Sequence, residues 1–70
     1  MPLSKAKAGY KAQIKKISGS DKISKFLFSL GCSEGEEITL ISVLSGNYII
    51  SIKDSRYAID KKMAAAIDLV

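Results

Sequence analysis

The feature of this sequence that most constrains its fold is a change of hydrophobic period. Within residues 21–30, four apolar side chains recur at positions i, i+3, i+4 and i+7, namely Ile23, Phe26, Leu27 and Leu30. This spacing places them on one stripe of an α-helix. Ser20 or Asp21 can cap the N-terminus of that helix, and Gly31 follows its last apolar residue. The sequence therefore predicts one short helix near residues 21–30, followed by a left-handed residue at Gly31.

Strand patterns lie on both sides of this helix. The segment GYKAQIKKI alternates apolar and polar residues as far as Lys16, where a bulge would return Ile17 to the core. After the helix, turn residues separate further strand-like runs, and Asp60 can cap a single helical turn before the last strand. In chain order these runs and turns are EEITLISVL, SGN, YIISIK, DS, RYAI, KKMAAA and IDLV.

The order of these elements predicts a mainly β fold: a small SH3-like barrel of about five strands, with one short helix inserted after the first strand. The run EEITLISVL has apolar residues on both faces, which suits a tightly curled barrel where one strand serves two sheets. Barrel closure would also remove the exposed edges that five short strands otherwise leave. A length of 70 residues allows one domain, so residues 1–70 are expected to form a single unit.

Charge is unevenly distributed along the chain. Residues 1–25 hold seven lysines and one aspartate, a net charge of +6, whereas residues 26–70 hold four cations and six carboxylates, a net charge of −2. The basic segment of residues 1–25 can bind nucleic acid, an acidic partner or lipid headgroups, or it can simply be a solvated surface. No apolar run is long enough to span a bilayer, and no secretion signal is visible. A single cysteine cannot form an internal disulfide, so a reducing cytoplasm fits best.

The only cysteine, Cys32, is followed closely by Glu34, Glu36 and Glu37. A reactive thiol needs a base or a cation, but the chain has no histidine and the nearest charges are carboxylates, which raise a thiol pKa. Zinc normally takes four Cys and His ligands, and the three carboxylates, although suited to a hard cation, need not converge. We therefore expect Cys32 to pack against Leu27, and we predict no catalytic residue, no metal site and no cofactor.

Phe28 does not fit the helical stripe. At about 100° per residue, its side chain lies roughly 150° from the centre of the stripe. Two alternatives follow. Either the N-terminal arm that carries Leu3 covers Phe28, or Phe28 is an exposed aromatic that contacts a partner. In the second case, a partner-binding surface would consist of Lys25, Phe28 and Ser29.

The segment KFLFSLGCSEG resembles the signature of the FeoA family, in which a leucine-containing helix end is followed by glycine, an aliphatic residue, a spacer, proline or glutamate, and a second glycine. The matching positions are Leu27, Leu30, Gly31, Cys32, Glu34 and Gly35. The opening GYKAQI and the closing YAIDKKMAAAIDLV are similar to the two ends of the family pattern. The closing segment matches at Ala58, Ile59, Ala64, Ile67 and Val70.

This resemblance implies an SH3-like barrel in the bacterial cytoplasm, with an accessory role in ferrous iron transport. The implied partner is a membrane ferrous iron transporter that carries a cytosolic GTP-binding domain, and neither enzyme activity nor a small-molecule substrate is implied. Four positions depart from the family pattern. Cys32 replaces an aliphatic residue, which agrees with a packing role. At the other three positions, Asp60 replaces the usual arginine, Met63 a frequent glutamate, and Phe26 a common basic residue. If those positions contact the partner, this chain does so differently.

A second hypothesis comes from a different class. The chain would be a nucleic-acid-binding small β-barrel, or the SH3-like domain of an iron-dependent transcription regulator. Binding to single strands favours aromatic side chains among the lysines as stacking platforms. Tyr10 is the only aromatic residue within residues 1–25. The sequence therefore favours a protein-interaction module over a nucleic-acid-binding protein.

Overall fold

The computed structural model describes residues 1–70 and contains one five-stranded antiparallel sheet and two α-helices. The helices are α1 (Asp21–Ser29) and α2 (Lys61–Ala65), and a 3-10 turn at Leu3–Lys5 precedes the first strand. The strands are β1 (Lys11–Ile17), β2 (Glu37–Leu44), β3 (Asn47–Ile52), β4 (Ser55–Asp60) and β5 (Ile67–Leu69). The mainly β class, the number of strands and the helix after the first strand are confirmed.

Strand β1 pairs with two neighbouring strands. Its first residues, Lys11–Gln13, pair with β2, and its remaining residues pair with β5. The register shifts between Ile14 and Lys16, which confirms the predicted bulge. A bulge bends a strand and increases its twist. Ile17, beyond the bulge, is half-buried and packs against the core.

The sheet has two ends, because the strand order is β4-β3-β2-β1-β5 and no ladder joins β4 to β5. The predicted closure by hydrogen bonds is therefore not observed. Helix α2 occupies the connection between the two strands, since the Asp60 carboxylate accepts a hydrogen bond from the Met63 amide and starts a helix there (2.8 Å). The outer edge of β5 is instead covered by the N-terminus, where Pro2 bridges to Asp68 and the Met1 amine lies 3.1 Å from the same carboxylate.

The hydrophobic core draws on every strand, both helices and the N-terminal turn. Strand β2 contributes Ile38 and Leu40, but its register shifts after Leu40 and the final residues, Val43 and Leu44, are exposed beside the hairpin turn. Only some of the apolar residues on the two faces of β2 are therefore buried. The fourteen buried residues are Leu3, Ile14, Leu27, Cys32, Ile38, Leu40, Tyr48, Ile50, Ile52, Ile59, Ala64, Ala66, Ile67 and Leu69.

Two tight turns join the hairpins of the sheet. The first lies within the predicted SGN, where Ser45 and Gly46 have φ values of +50° and +81°. The second was predicted at Asp54–Ser55 but lies at Lys53–Asp54, with φ values of +48° and +64°, and Ser55 already pairs with Ile52. Two successive left-handed residues match the right-handed twist of the flanking strands. The register of the sheet imposes that geometry on a pair without glycine, so the turn lies one residue earlier than predicted.

Candidate partner-binding surface

The two ends of α1 fix the position of its outer side. At the start, the Ser20 hydroxyl accepts a hydrogen bond from the Ile23 amide (3.3 Å). At the end, the Gly31 amide donates to the Phe28 carbonyl and the Cys32 amide donates to the Leu27 carbonyl, each at 3.0 Å. This pair of bonds is the Schellman arrangement, in which the residue after the cap is left-handed. The predicted helix end is confirmed, because Gly31 has a φ of +103°.

Gly31 is also close to another side chain. A Cβ atom at this position would lie 3.1 Å from Cδ of Lys53, closer than ordinary van der Waals contact. The Lys53 ammonium in turn lies 3.4 Å from the Glu36 carboxylate. The turn between β3 and β4 therefore packs over the end of α1 at the one residue that lacks a side chain.

Cys32 packs as the sequence predicts. Its side chain and that of Leu27 are both fully buried in the core. Burial raises the pKa of the Cys32 thiol from 9.0 to about 11 through desolvation of the thiolate. The thiol is therefore protonated at neutral pH, whereas a nucleophile or a metal ligand is a thiolate.

The carboxylates after Cys32 point to different partners. Glu36 pairs with Lys53, and Glu37 pairs with Lys11 at 3.8 Å across exposed surface. Glu34 takes part in no ion pair. No group of three or more His, Cys, Asp or Glu side chains is arranged to hold a metal ion.

Phe28 is exposed. Its side chain retains 69% of its accessible surface, the second-highest value among the large apolar residues of the chain. Leu3 is fully buried instead, because the N-terminal turn packs against α2 and β5 and the Tyr48 hydroxyl donates to the Ser4 carbonyl (3.0 Å). Of the two alternatives, cover by the N-terminal arm is wrong, and Phe28 is free to contact another molecule.

Phe26 also differs from expectation, because the helical stripe predicts a buried side chain whereas Phe26 is 43% exposed. Only Leu27 of α1 is fully buried, whereas Ile23 and Leu30 are half-buried. A helix this short contacts the core through a narrow line of side chains, so a residue about 100° from that line remains in solvent. Phe26 and Phe28 thus lie on opposite flanks of α1.

One flank of α1 forms a surface groove with a volume of about 600 Å³. We call it the α1 groove, and it lies between the helix, the end of β1 and residues 32–34. Of the three residues predicted to bind a partner, Lys25 and Phe28 line this groove, whereas Ser29 does not and instead donates a hydrogen bond to the Phe26 carbonyl. The other lining residues are Ile17, Ser24, Cys32, Ser33 and Glu34.

The wall of this groove opposite α1 was not predicted from the sequence. Ile17 carried a signal, because it falls out of phase with its strand and needed a bulge to be placed. Residues 32–34 carry none, since their sequence indicates only the end of a helix and the loop that leads to β2. Their place in the groove depends on how that loop folds back beside α1, which is tertiary information.

The fold and the groove together describe a small antiparallel β protein, with a helix after the first strand whose outer flank is open. None of its helices has the length and apolar character needed to cross a membrane. The chain belongs to the FeoA family, because the model of the FeoA domain matches residues 1–69. The family is implicated in ferrous iron transport.

Solved structures agree with this assignment. An iron uptake regulatory protein (FeoA) is similar with a TM-score of 0.91 and 30% identity, over 100% of this chain and 93% of that one. FeoA of Stenotrophomonas maltophilia in complex with zinc, described as a prokaryotic SH3 domain protein, has a TM-score of 0.88 and 20% identity, over 100% of this chain and 89% of that one.

The same fold occurs within larger proteins. A manganese-dependent transcriptional repressor matches with a TM-score of 0.92 and 18% identity, over 100% of this chain but only 40% of the repressor. At that identity the likeness shows the fold alone. A search of curated proteins by sequence finds no match.

Proposed function

We propose that residues 1–70, as a single cytoplasmic domain, form a non-enzymatic accessory module that binds the cytosolic GTP-binding domain of a bacterial ferrous iron transporter. The observation that carries this proposal is Phe28, an aromatic side chain left 69% exposed on the outer flank of α1 in a chain of the FeoA family. Burial of such a side chain against a partner provides the driving force that the isolated domain leaves unused.

The surroundings of Phe28 suit a protein partner. Ile17 and Phe28 provide the accessible apolar surface of the α1 groove, while Lys25, Ser24 and Glu34 surround it with polar groups. An apolar centre with a polar rim is the usual arrangement of a protein interface. The surface is small, below the ~800 Å² per partner of a standard stable complex, so the binding is expected to be weak and reversible.

The chain's own chemistry supports a binding role. Iron is the cargo of the transporter, whereas this chain has no histidine and its carboxylates at 34, 36 and 37 do not converge. Cys32 is a protonated, buried thiol at neutral pH. The proposed module therefore acts through contact with the transporter, without a small-molecule substrate or a cofactor of its own.

The test uses two phenylalanines on opposite flanks of one helix. Titration calorimetry with the isolated GTP-binding domain should show roughly tenfold weaker binding for Phe28→Ala, in line with the ~1 kcal/mol or more of an interface anchor. Phe26→Ala removes the same side chain outside the α1 groove and should leave the affinity unchanged. Equal losses for both variants, or no binding by the wild type, would contradict the proposed surface.

Stability measurements on the same variants show whether Phe28 acts only at the surface. Because Phe28 is mostly exposed, its replacement by alanine should leave the urea midpoint close to that of the wild type. If Phe28→Ala unfolds the domain, then the side chain supports the fold and the proposed surface is wrong.

Binding to DNA is the second candidate, favoured by the +6 charge of residues 1–25. It predicts an affinity for generic DNA that falls steeply with salt and falls further when Lys11, Lys15 and Lys16 are replaced. Both partners should be compared at two salt concentrations. DNA binding without contact to the transporter domain would replace the first proposal with the second.

A further inference from the structure

The α1 groove contains two opposite charges without partners in their own chain. Lys25 and Glu34 both line it, and neither takes part in any of the three ion pairs of the molecule. A ligand of one charge sign would be attracted by one of these groups and repelled by the other. The natural complement of such a surface carries one cation and one anion of its own.

A second copy of the same surface meets that requirement. In an isologous contact, a two-fold axis brings one patch against itself, so that residue i meets residue j and residue j meets residue i. Two copies of the α1 groove facing each other can place Lys25 of one copy against Glu34 of the other, and do so twice. The exposed side chain of Phe28 can at the same time enter the groove of the facing copy and cover Ile17.

We propose that this chain self-associates through the α1 groove into a weak symmetric dimer, held by reciprocal burial of Phe28 and by two Lys25–Glu34 contacts. The dimer goes beyond the proposed transporter binding, and it uses the same surface, so the two associations exclude each other. A contact made by only seven residues per copy buries much less surface than the ~800 Å² per partner of a stable interface. The dimer is therefore populated only at high protein concentration or where the chain is locally concentrated.

Analytical ultracentrifugation of the isolated chain from micromolar to millimolar concentration tests the proposal without the transporter. The wild type is expected to show a reversible monomer–dimer equilibrium that weakens with salt, because the charged groups lie at exposed positions. Phe28→Ala should weaken the association roughly tenfold, while Phe26→Ala should leave it unchanged. A wild type that stays monomeric up to millimolar concentration would overturn the proposal.

Charge exchange provides the sharper test. K25E and E34K should each weaken the association, because either change brings like charges together twice. The double variant K25E/E34K restores opposite charges across the two-fold axis and should recover most of the wild-type association. Recovery is not expected for a contact between Lys25 and any other group, so a double variant as weak as the single ones would refute the pairing. Circular dichroism of each variant confirms that the fold is retained.

The same variants separate this inference from the transporter hypothesis. The double variant should dimerise while losing affinity for the transporter domain, because that partner does not change with it. Dimerisation without any transporter binding would contradict the proposed function alone. Transporter binding by a strictly monomeric chain would contradict the dimer alone.

Discussion

Replacement of Gly31, the residue that follows the C-terminal cap of α1, by valine should destabilise this domain. Gly31 has a φ of +103°, a conformation in which a β-branched residue is strained. Such strain costs about 2 kcal/mol. A chain of this length is expected to have a total stability of roughly 4–10 kcal/mol, so the loss is a large fraction of it.

Urea denaturation followed by circular dichroism measures this effect. With a slope of about 1 kcal/mol per molar for a small domain, the midpoint should fall by about 2 M. Binding of the transporter domain is not needed for this measurement. A Gly31→Val midpoint equal to that of the wild type would show that the helix does not end as described, and the position of the α1 groove would then be wrong as well.

The contribution of Lys53 can be separated from that of the backbone. Gly31→Ala and Gly35→Ala both introduce a Cβ at positive φ, but a Cβ on Gly35 has no atom within 4 Å, whereas one on Gly31 lies 3.1 Å from Cδ of Lys53. Gly31→Ala should therefore be the more destabilising of the two. A double-mutant cycle with Lys53→Ala isolates the steric part. If the excess persists without the Lys53 side chain, then the contact between the β3–β4 turn and α1 is not its cause.

Three further predictions concern the rest of the chain. Cys32→Val should change the stability only slightly at neutral pH. The wild type should lose stability between pH 9 and about 11, because the folded state holds the thiol proton more tightly than the unfolded state does, and Cys32→Val should remove this loss. Denaturation midpoints across that pH range measure both effects, and a wild-type midpoint that does not fall would contradict the burial of the thiol. Asp60→Ala removes the acceptor of the Met63 amide and should cost about 1 kcal/mol, whereas Asp60→Asn, which retains a capping oxygen, should cost less. Anaerobic calorimetry with ferrous iron, and separately with zinc, should show no tight site, since the carboxylates diverge and the thiol is protonated; a one-to-one micromolar site would contradict this.

Local signals were sufficient to predict much of the fold. Gly31 and Asp60 each identify a helix end through hydrogen bonds that involve only neighbouring residues, and both are found where expected. Of the two candidate caps at the start of α1, Ser20 and Asp21, the structure has Ser20. The bulge in β1 was also predictable, because a two-residue period cannot otherwise place both Ile14 and Ile17 toward the core. These features depend on sequence separations of a few residues, which a single sequence displays directly.

Features that depend on distant packing were not predictable in the same way. The turn at Lys53–Asp54 has no glycine, so only the register of the whole sheet determines it. Phe26 fits a helical stripe, but the core accepts a narrower line of side chains than that stripe contains. The candidate site was predicted in part: the exposed side of α1 follows from helical geometry, whereas the opposite wall at residues 32–34 requires the folded loop.

The division of β1 between two neighbours has a consequence for the order of folding. Strands β2, β3 and β4 are joined by tight hairpins, so their pairing requires only short loops to close. The pair Ile14–Leu69, in contrast, joins residues 55 positions apart. Because distant pairs form late when loop closure is costly, we expect the β2–β4 meander to assemble first and β1 to be captured last, together with β5. Substitutions that weaken β1–β5 packing should then accelerate unfolding with little effect on the folding rate, and stopped-flow kinetics would reveal this as low φ-values along β1.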